Sequence, residues 1–149
     1  MRVPIWVCMT ACALSLGACA TERAMPREAI VAPTTACHAQ RFDIYFEEGQ
    51  ARLTPAAREA VGLTSTLLQG CAIEHVQVIG LADASGSAGA NQDLSQARAQ
   101  AVVEALTATG WPTPTFEVEA MGDQGATTAS GVSEPLRRRT EVIVTAAPR

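Results

Sequence analysis

EHVQVIGLADASGSAGANQDLSQARAQAVVEALTATG, running from Glu74 to Gly110, is the stretch whose reading decides the fold. Its opening run, Glu74 to Ala82, is rich in β-branched residues and bounded by a turn, so it reads as a strand. The segment Asp83 to Ala90 (DASGSAGA) is a loop of the residue types that favour turns. Asn91 or Asp93 is then expected to cap a helix that continues to Gly110, where glycine and the following Pro112 end it. Arg98 lies four residues after Leu94 and four before Val102, on the apolar side of that helix rather than among its solvated charges. A guanidinium placed there needs a partner. Asp83, at the C-terminal end of the strand, is the carboxylate nearest in the pattern, and strand-loop-helix corners of this kind commonly hold ligands.

Working outward, Phe42, Ile44 and Phe46 alternate with polar neighbours and predict a half-buried first strand. Thr54-Pro55 opens a helix, with Thr54 as N-cap, Pro55 at the first helical position and Gly70 as the stop. Ala57, Ala60, Val61, Leu67 and Leu68 fall on one face of it, and Gly62 weakens its middle. Phe116, Val118 and Ala120 form a third strand; Val142 and Val144 lie in a fourth, after a loop rich in Gly, Ser and Thr. The order strand, helix, strand, helix, strand, strand is that of an α+β fold with two helices packed on a four-stranded mixed sheet. With 149 residues there is room for one such domain, expected over 37–149, plus short extras.

The extras lie at the N-terminus. Arg2 precedes an apolar stretch, Val3 through Leu16, that is short for a membrane span and reads as a signal-peptide core. It ends in Leu16-Gly17-Ala18-Cys19, the pattern of a bacterial lipobox. Residues 1–18 are therefore expected to be a leader, Cys19 the lipidated residue (palmitate among its acyl chains) and 19–36 a tether. Pro26, Pro33 and mixed charge without apolar periodicity suit that tether. Several acyl chains, at roughly 0.8 kcal/mol per buried methylene, would anchor it stably. Ala at position 20 favours the outer membrane, with the domain facing the periplasm. The alternative is an ordinary leader cut after Ala18 or Ala20, which would release a soluble periplasmic domain or a module of an envelope complex.

The net charge is −4, and all 11 basic residues are arginines. An acidic chain whose one basic cluster is Arg137-Arg138-Arg139 lacks the footprint of a nucleic-acid binder. Two histidines, His38 and His75, without a nucleophile motif give little from which to build a catalytic triad. Glu47 and Glu48 are adjacent and would project to opposite faces of an extended strand, so they are not an acid/base pair. A non-enzymatic protein without a cofactor or metal is expected.

An aspartate can hold an ammonium, and a guanidinium can hold a carboxylate through two parallel hydrogen bonds. Side-chain chemistry alone thus suits Asp83 and Arg98 to a zwitterion. Singly, each has a plainer role: Asp83 can start an Asx-type turn, and Arg98 can cover the helix edge with its aliphatic stem. Gly80-Leu81-Ala82-Asp83, with Gly86, Asn91, Leu94-Ser95, Arg98-Ala99, Val102, Leu106 and Gly110, resembles the central motif of the OmpA-like C-terminal domain family, whose small lipoproteins are the Pal type. Phe46 to Pro55 resembles that family's first strand and helix start, and Arg138-Arg139-Thr140-Glu141 its closing strand, so the resemblance spans residues 40–146. It implies non-covalent binding of peptidoglycan, with Asp83 and Arg98 gripping the diaminopimelate residue of the stem peptide. Asn91 and Arg139 occupy positions that line or support the same groove. The chain departs from the family at Leu81-Ala82, at Arg137 and over 122–135.

Cys8 and Cys12 belong to the leader and Cys19 to the anchor, which leaves Cys37 and Cys71 for the domain. If the first two strands run parallel, both cysteines lie at one end of the sheet. In an oxidising compartment a Cys37–Cys71 disulfide is expected; closing a loop of about 35 residues, it would add ~3 to 4 kcal/mol. The rival is a metal site using both thiols with His38 and His75, for which adjacent Cys-His is poor chelate geometry.

Overall fold

The computed structural model describes residues 37–111 and 115–149; the expected leader, Cys19 and the tether lie outside them. The chain forms β1 (Gln40–Tyr45), α1 (Pro55–Leu67), β2 (Cys71–Gly80), α2 (Ala88–Ala108), β3 (Phe116–Ala120) and β4 (Arg139–Pro148), with a short 3-10 turn at Pro135–Arg137 before β4. The sheet order is β1-β4-β2-β3. β4 pairs antiparallel with both β1 and β2, while β3 lies parallel to β2. This is the expected mixed sheet carrying two helices. β1 and β2 consequently run parallel on either side of β4.

Alternation along the strands sends Ile44, Val76, Val78, Val142 and Val144 to one face, all buried. Onto them pack Ala57 and Val61 of α1, and Ala99, Val102, Val103 and Leu106 of α2, at spacings of three and four. Full burial of each Val or Leu contributes about 1.5 to 3 kcal/mol. α2 reaches the sheet most closely at Gly80: a Cβ there would stand 2.0 Å from the Ser95 carbonyl oxygen. The motif glycine is thus a point of helix-strand contact, where hydrogen is the largest substituent that fits.

Thr54 caps α1 as expected, its hydroxyl accepting from the Ala57 N–H at 3.1 Å. Three local expectations are revised. Leu67, assigned to the buried face, is 70% exposed, because α1 ends there and Leu68 takes the core position instead. β2 begins at Cys71 rather than Glu74, with a register shift between Ile73 and His75 that absorbs the extra residue. The cap of α2 is Ser87, whose hydroxyl accepts from Ala90 N–H, rather than Asn91 or Asp93. Arg98 therefore sits near the middle of a 21-residue helix.

Cys37 and Cys71 form a disulfide with their Cα atoms 5.5 Å apart. The parallel course of β1 and β2 brings the starts of both strands to one end of the sheet. Both thiols that the metal reading required are consumed by this bond.

Candidate functional site

At the other end of β2 the chain leaves the sheet through Leu81, Ala82 and Asp83, all buried. Backbone bonds hold this exit from three directions: Leu81 N–H donates to Arg139 O (3.0 Å), Ala82 N–H to Gly122 O (2.8 Å) and Met121 N–H to Gly80 O (3.0 Å). Ser95, wholly buried on α2, accepts from the Gly122 N–H at 2.9 Å and so ties the helix to the loop after β3. These four hydrogen bonds tie the end of β2 to α2, β4 and the loop after β3.

Asp83 does begin an Asx-type turn. Its Oδ1 accepts from the Ser85 N–H (3.1 Å) and the Ser85 hydroxyl (2.6 Å). Its Oδ2 accepts from Arg138 Nη1 at 3.0 Å. Burial by itself would raise the Asp83 pKa; the Ser85 hydroxyl, the Arg138 guanidinium and the Ser85 N–H together outweigh it and hold the carboxyl below 3.8. The nearly buried Asp83 carboxyl is thus held toward its ionised form.

Arg98 is fully buried and does more than cover an edge with its stem. Its Nε donates to Gln50 O (2.8 Å), Nη1 to Leu81 O (2.9 Å) and Nη2 to Glu47 O (3.1 Å). The guanidinium also lies over the Phe46 ring, 5.2 Å from its centroid. Three of its five N–H groups thus clamp the β1-α1 loop to the end of β2. Among the described residues it forms no ion pair. Desolvation lowers its pKa, the nearby Asp83 charge acts in the opposite sense, and Arg138 adds to the lowering. Its charge is left uncancelled by contact, next to the Asp83 carboxylate.

Asn91 is buried one turn into α2, its Nδ2 donating to Asp123 Oδ2 at 3.0 Å, which braces the loop after β3 beside Asp83. Arg139 points elsewhere. Its guanidinium bonds Glu141 Oε1 (2.6 Å) and lies 3.4 Å from Asp43 Oδ2, on the sheet face away from the helices. Consecutive residues at the start of a strand face opposite ways, so Arg138 is the one of the pair that reaches Asp83. Arg137 donates to the Gln124 carbonyl and so fastens the 122–135 loop, where the sequence departs from the family motif. The β1-α1 loop also lines a cavity of about 310 Å³ with Glu47, Gln50, Arg52 and Arg58 on its walls. Arg138, Ser85 and Phe46 were not singled out from sequence as site residues; counting parity back from Val142 and Val144 would have pointed to Arg138.

A profile described as the OmpA family matches residues 45–139, a span that takes in Asp83, Asn91, Arg98, Arg138 and Arg139. The chain belongs to the OmpA family. It is 30% identical over 135 residues to outer membrane protein A of Citrobacter freundii, covering 85% of this chain and 56% of that protein. The chain thus spans about half the length of that relative. Among solved structures, the OmpA-like domain of FopA1 from Francisella tularensis subsp. tularensis SCHU S4 superposes with a TM-score of 0.62 at 24% identity, covering 74% of this chain and 73% of that one. The cell wall anchor of the T6SS from Pseudomonas aeruginosa gives 0.59 at 26%, covering 73% and 82%. The peptidoglycan-associated lipoprotein from Burkholderia pseudomallei gives 0.58 at 22%, covering 68% and 88%.

Proposed function

We propose that this OmpA-family domain binds peptidoglycan non-covalently and, through lipid on Cys19, tethers the outer membrane to the cell wall. The observation that carries the reading is the ionised, nearly buried Asp83 carboxylate set beside the uncancelled charge of Arg98. Asp83 takes the ammonium of the zwitterionic end of diaminopimelate. Arg98, buried beneath the surface, supplies the positive field that favours the carboxylate. Asn91 supports the wall of the groove, and Arg139 supports it through its backbone carbonyl at Leu81. Each charge-assisted bond contributes roughly 1.5 to 3 kcal/mol, so a single site is weak to moderate and the repeating polymer supplies avidity. The reaction partner is held, not transformed, and no cofactor is required.

The fold suits a tether. Cys37, where the described chain begins, is bonded to the first residue of β2, whereas Asp83 follows its last. Ten strand residues at ~3.3 Å each separate the two ends by roughly 33 Å. Residues 19–36 add at most about 60 Å at ~3.5 Å each, so the wall is held close to the membrane. The test is sedimentation with purified peptidoglycan. Wild type pellets and Asp83→Asn, which keeps shape but removes charge, stays in solution; equal pelleting of the two sinks the assignment. Palmitate labelling that vanishes in Cys19→Ala tests the anchor, and wild type without label would point to the released periplasmic form.

A further inference from the structure

We infer that Arg138 sets ligand specificity: it stands in for the ligand's ammonium on Asp83 in the unliganded protein and, once displaced, holds a second carboxylate of the same stem peptide. The inference rests on the peptidoglycan reading and deepens it. Asp83 Oδ1 is already saturated by the two Ser85 donors, so Oδ2 is where an incoming ammonium must bind. That oxygen is held by Arg138 Nη1 at 3.0 Å. An ammonium arriving there finds one acceptor position left on Oδ2 beside the Arg138 guanidinium, so the two cations compete for one carboxylate.

The two arginines differ in their freedom to move. Arg98 is wholly buried and held by three carbonyls, so it stays in place. The Arg138 side chain is 31% exposed and, among the described residues, its only side-chain bond is the one to Asp83. Its backbone is fixed: the N–H donates to Pro135 O at 3.2 Å and the carbonyl accepts from Phe46 N–H at 2.9 Å. Arg138 is a pivot with an anchored base and a releasable head. When an ammonium takes Oδ2, the head remains within a side chain's length of the ligand.

Charge balance selects what the released head binds. Two guanidiniums, Arg98 and Arg138, face one carboxylate, Asp83, leaving an excess of one positive charge. A ligand end with one ammonium and one carboxylate leaves that excess unanswered; a second carboxylate answers it. Discrimination then falls between a free acid and its neutral amide, because the amide offers a guanidinium no charge-assisted bidentate partner.

Two synthetic tripeptides test this, both with the C-terminal (L-centre) diaminopimelate carboxyl blocked as an amide: L-Ala-γ-D-Glu-meso-diaminopimelate with the glutamyl α-carboxylate free, and the same peptide with that group as primary amide. Titration calorimetry on wild type is expected to favour the acid roughly ten- to a hundredfold. In Arg138→Ala the ratio falls to about one, because the acid loses its partner while the amide form no longer competes with Arg138 for Asp83; Arg138→Lys retains part of the preference. A purely structural role would weaken both peptides alike and leave the ratio unchanged, and that result, or a wild type that does not discriminate, overturns the inference. A wild type that binds neither peptide, nor peptidoglycan, fails the functional reading itself.

Discussion

Replacing Gly80 by alanine tests whether close contact between α2 and β2 positions the corner that carries Asp83 and Arg98. The added Cβ would lie 2.0 Å from Ser95 O, 2.8 Å from Ser95 C and 3.1 Å from Ala99 Cβ. Real Cβ atoms essentially never approach within 3.0 Å, so the α2 backbone must retreat by at least about 1 Å. The obstacle is helix backbone rather than the end of a flexible side chain, so rotamer changes give no relief. Overpacking typically costs ~1 to 3 kcal/mol, and a backbone clash belongs at the upper end, about 3 kcal/mol. With a urea m-value of ~1 to 3 kcal/mol/M, the unfolding midpoint should fall by 1 M or more. The same displacement draws the middle of α2, and with it Arg98, away from Leu81 O and Asp83, so affinity for peptidoglycan should also drop. A loss under about 0.5 kcal/mol with unaltered binding would refute the reasoning, since α2 could then shift without disturbing the site.

Removing the cross-link in a Cys37→Ser, Cys71→Ser variant should lower stability by ~3 to 4 kcal/mol, measured by urea denaturation against the oxidised protein, while peptidoglycan binding persists below the transition. Asp83 predicts a pH dependence. Its folded pKa is depressed, so its contribution is fully present above the unfolded value near 3.8 and is lost as pH falls through the lower folded value. The stability difference between wild type and Asp83→Asn should stay flat from pH 7 to about 5 and shrink only below about pH 4; a difference that collapses between pH 6 and 5 would contradict a depressed pKa.

The order of elements was legible because it rests on local patterns. Alternation at Phe42, Ile44 and Phe46, the Thr54-Pro55 start, and the glycines at 70 and 110 each act within a few residues of themselves. The start of α2 was misread because Asn91, Asp93 and Ser87 all have capping side chains, and the choice depends on where β2 releases the loop. Leu67 failed for a similar reason: at a helix end, one residue of length decides which side chain meets the core.

The site divides along the same line. Asp83 and Arg98 stood out in the sequence because a carboxylate after a strand and an arginine on an apolar helix stripe are anomalies that local chemistry exposes. Two spare cysteines likewise predicted their own bond, which the parallel course of β1 and β2 makes possible. The partners of those side chains were a tertiary matter. Arg98 ends on carbonyls 48 and 51 residues away, and Asp83 on a guanidinium 55 residues away. Which arginine of the Arg137-Arg138-Arg139 run faces Asp83 depends on the register of β4 between β1 and β2. A slip of one residue exchanges the two faces of a strand, so packing on both neighbours, rather than the run itself, aims Arg138 at the site and Arg139 away from it.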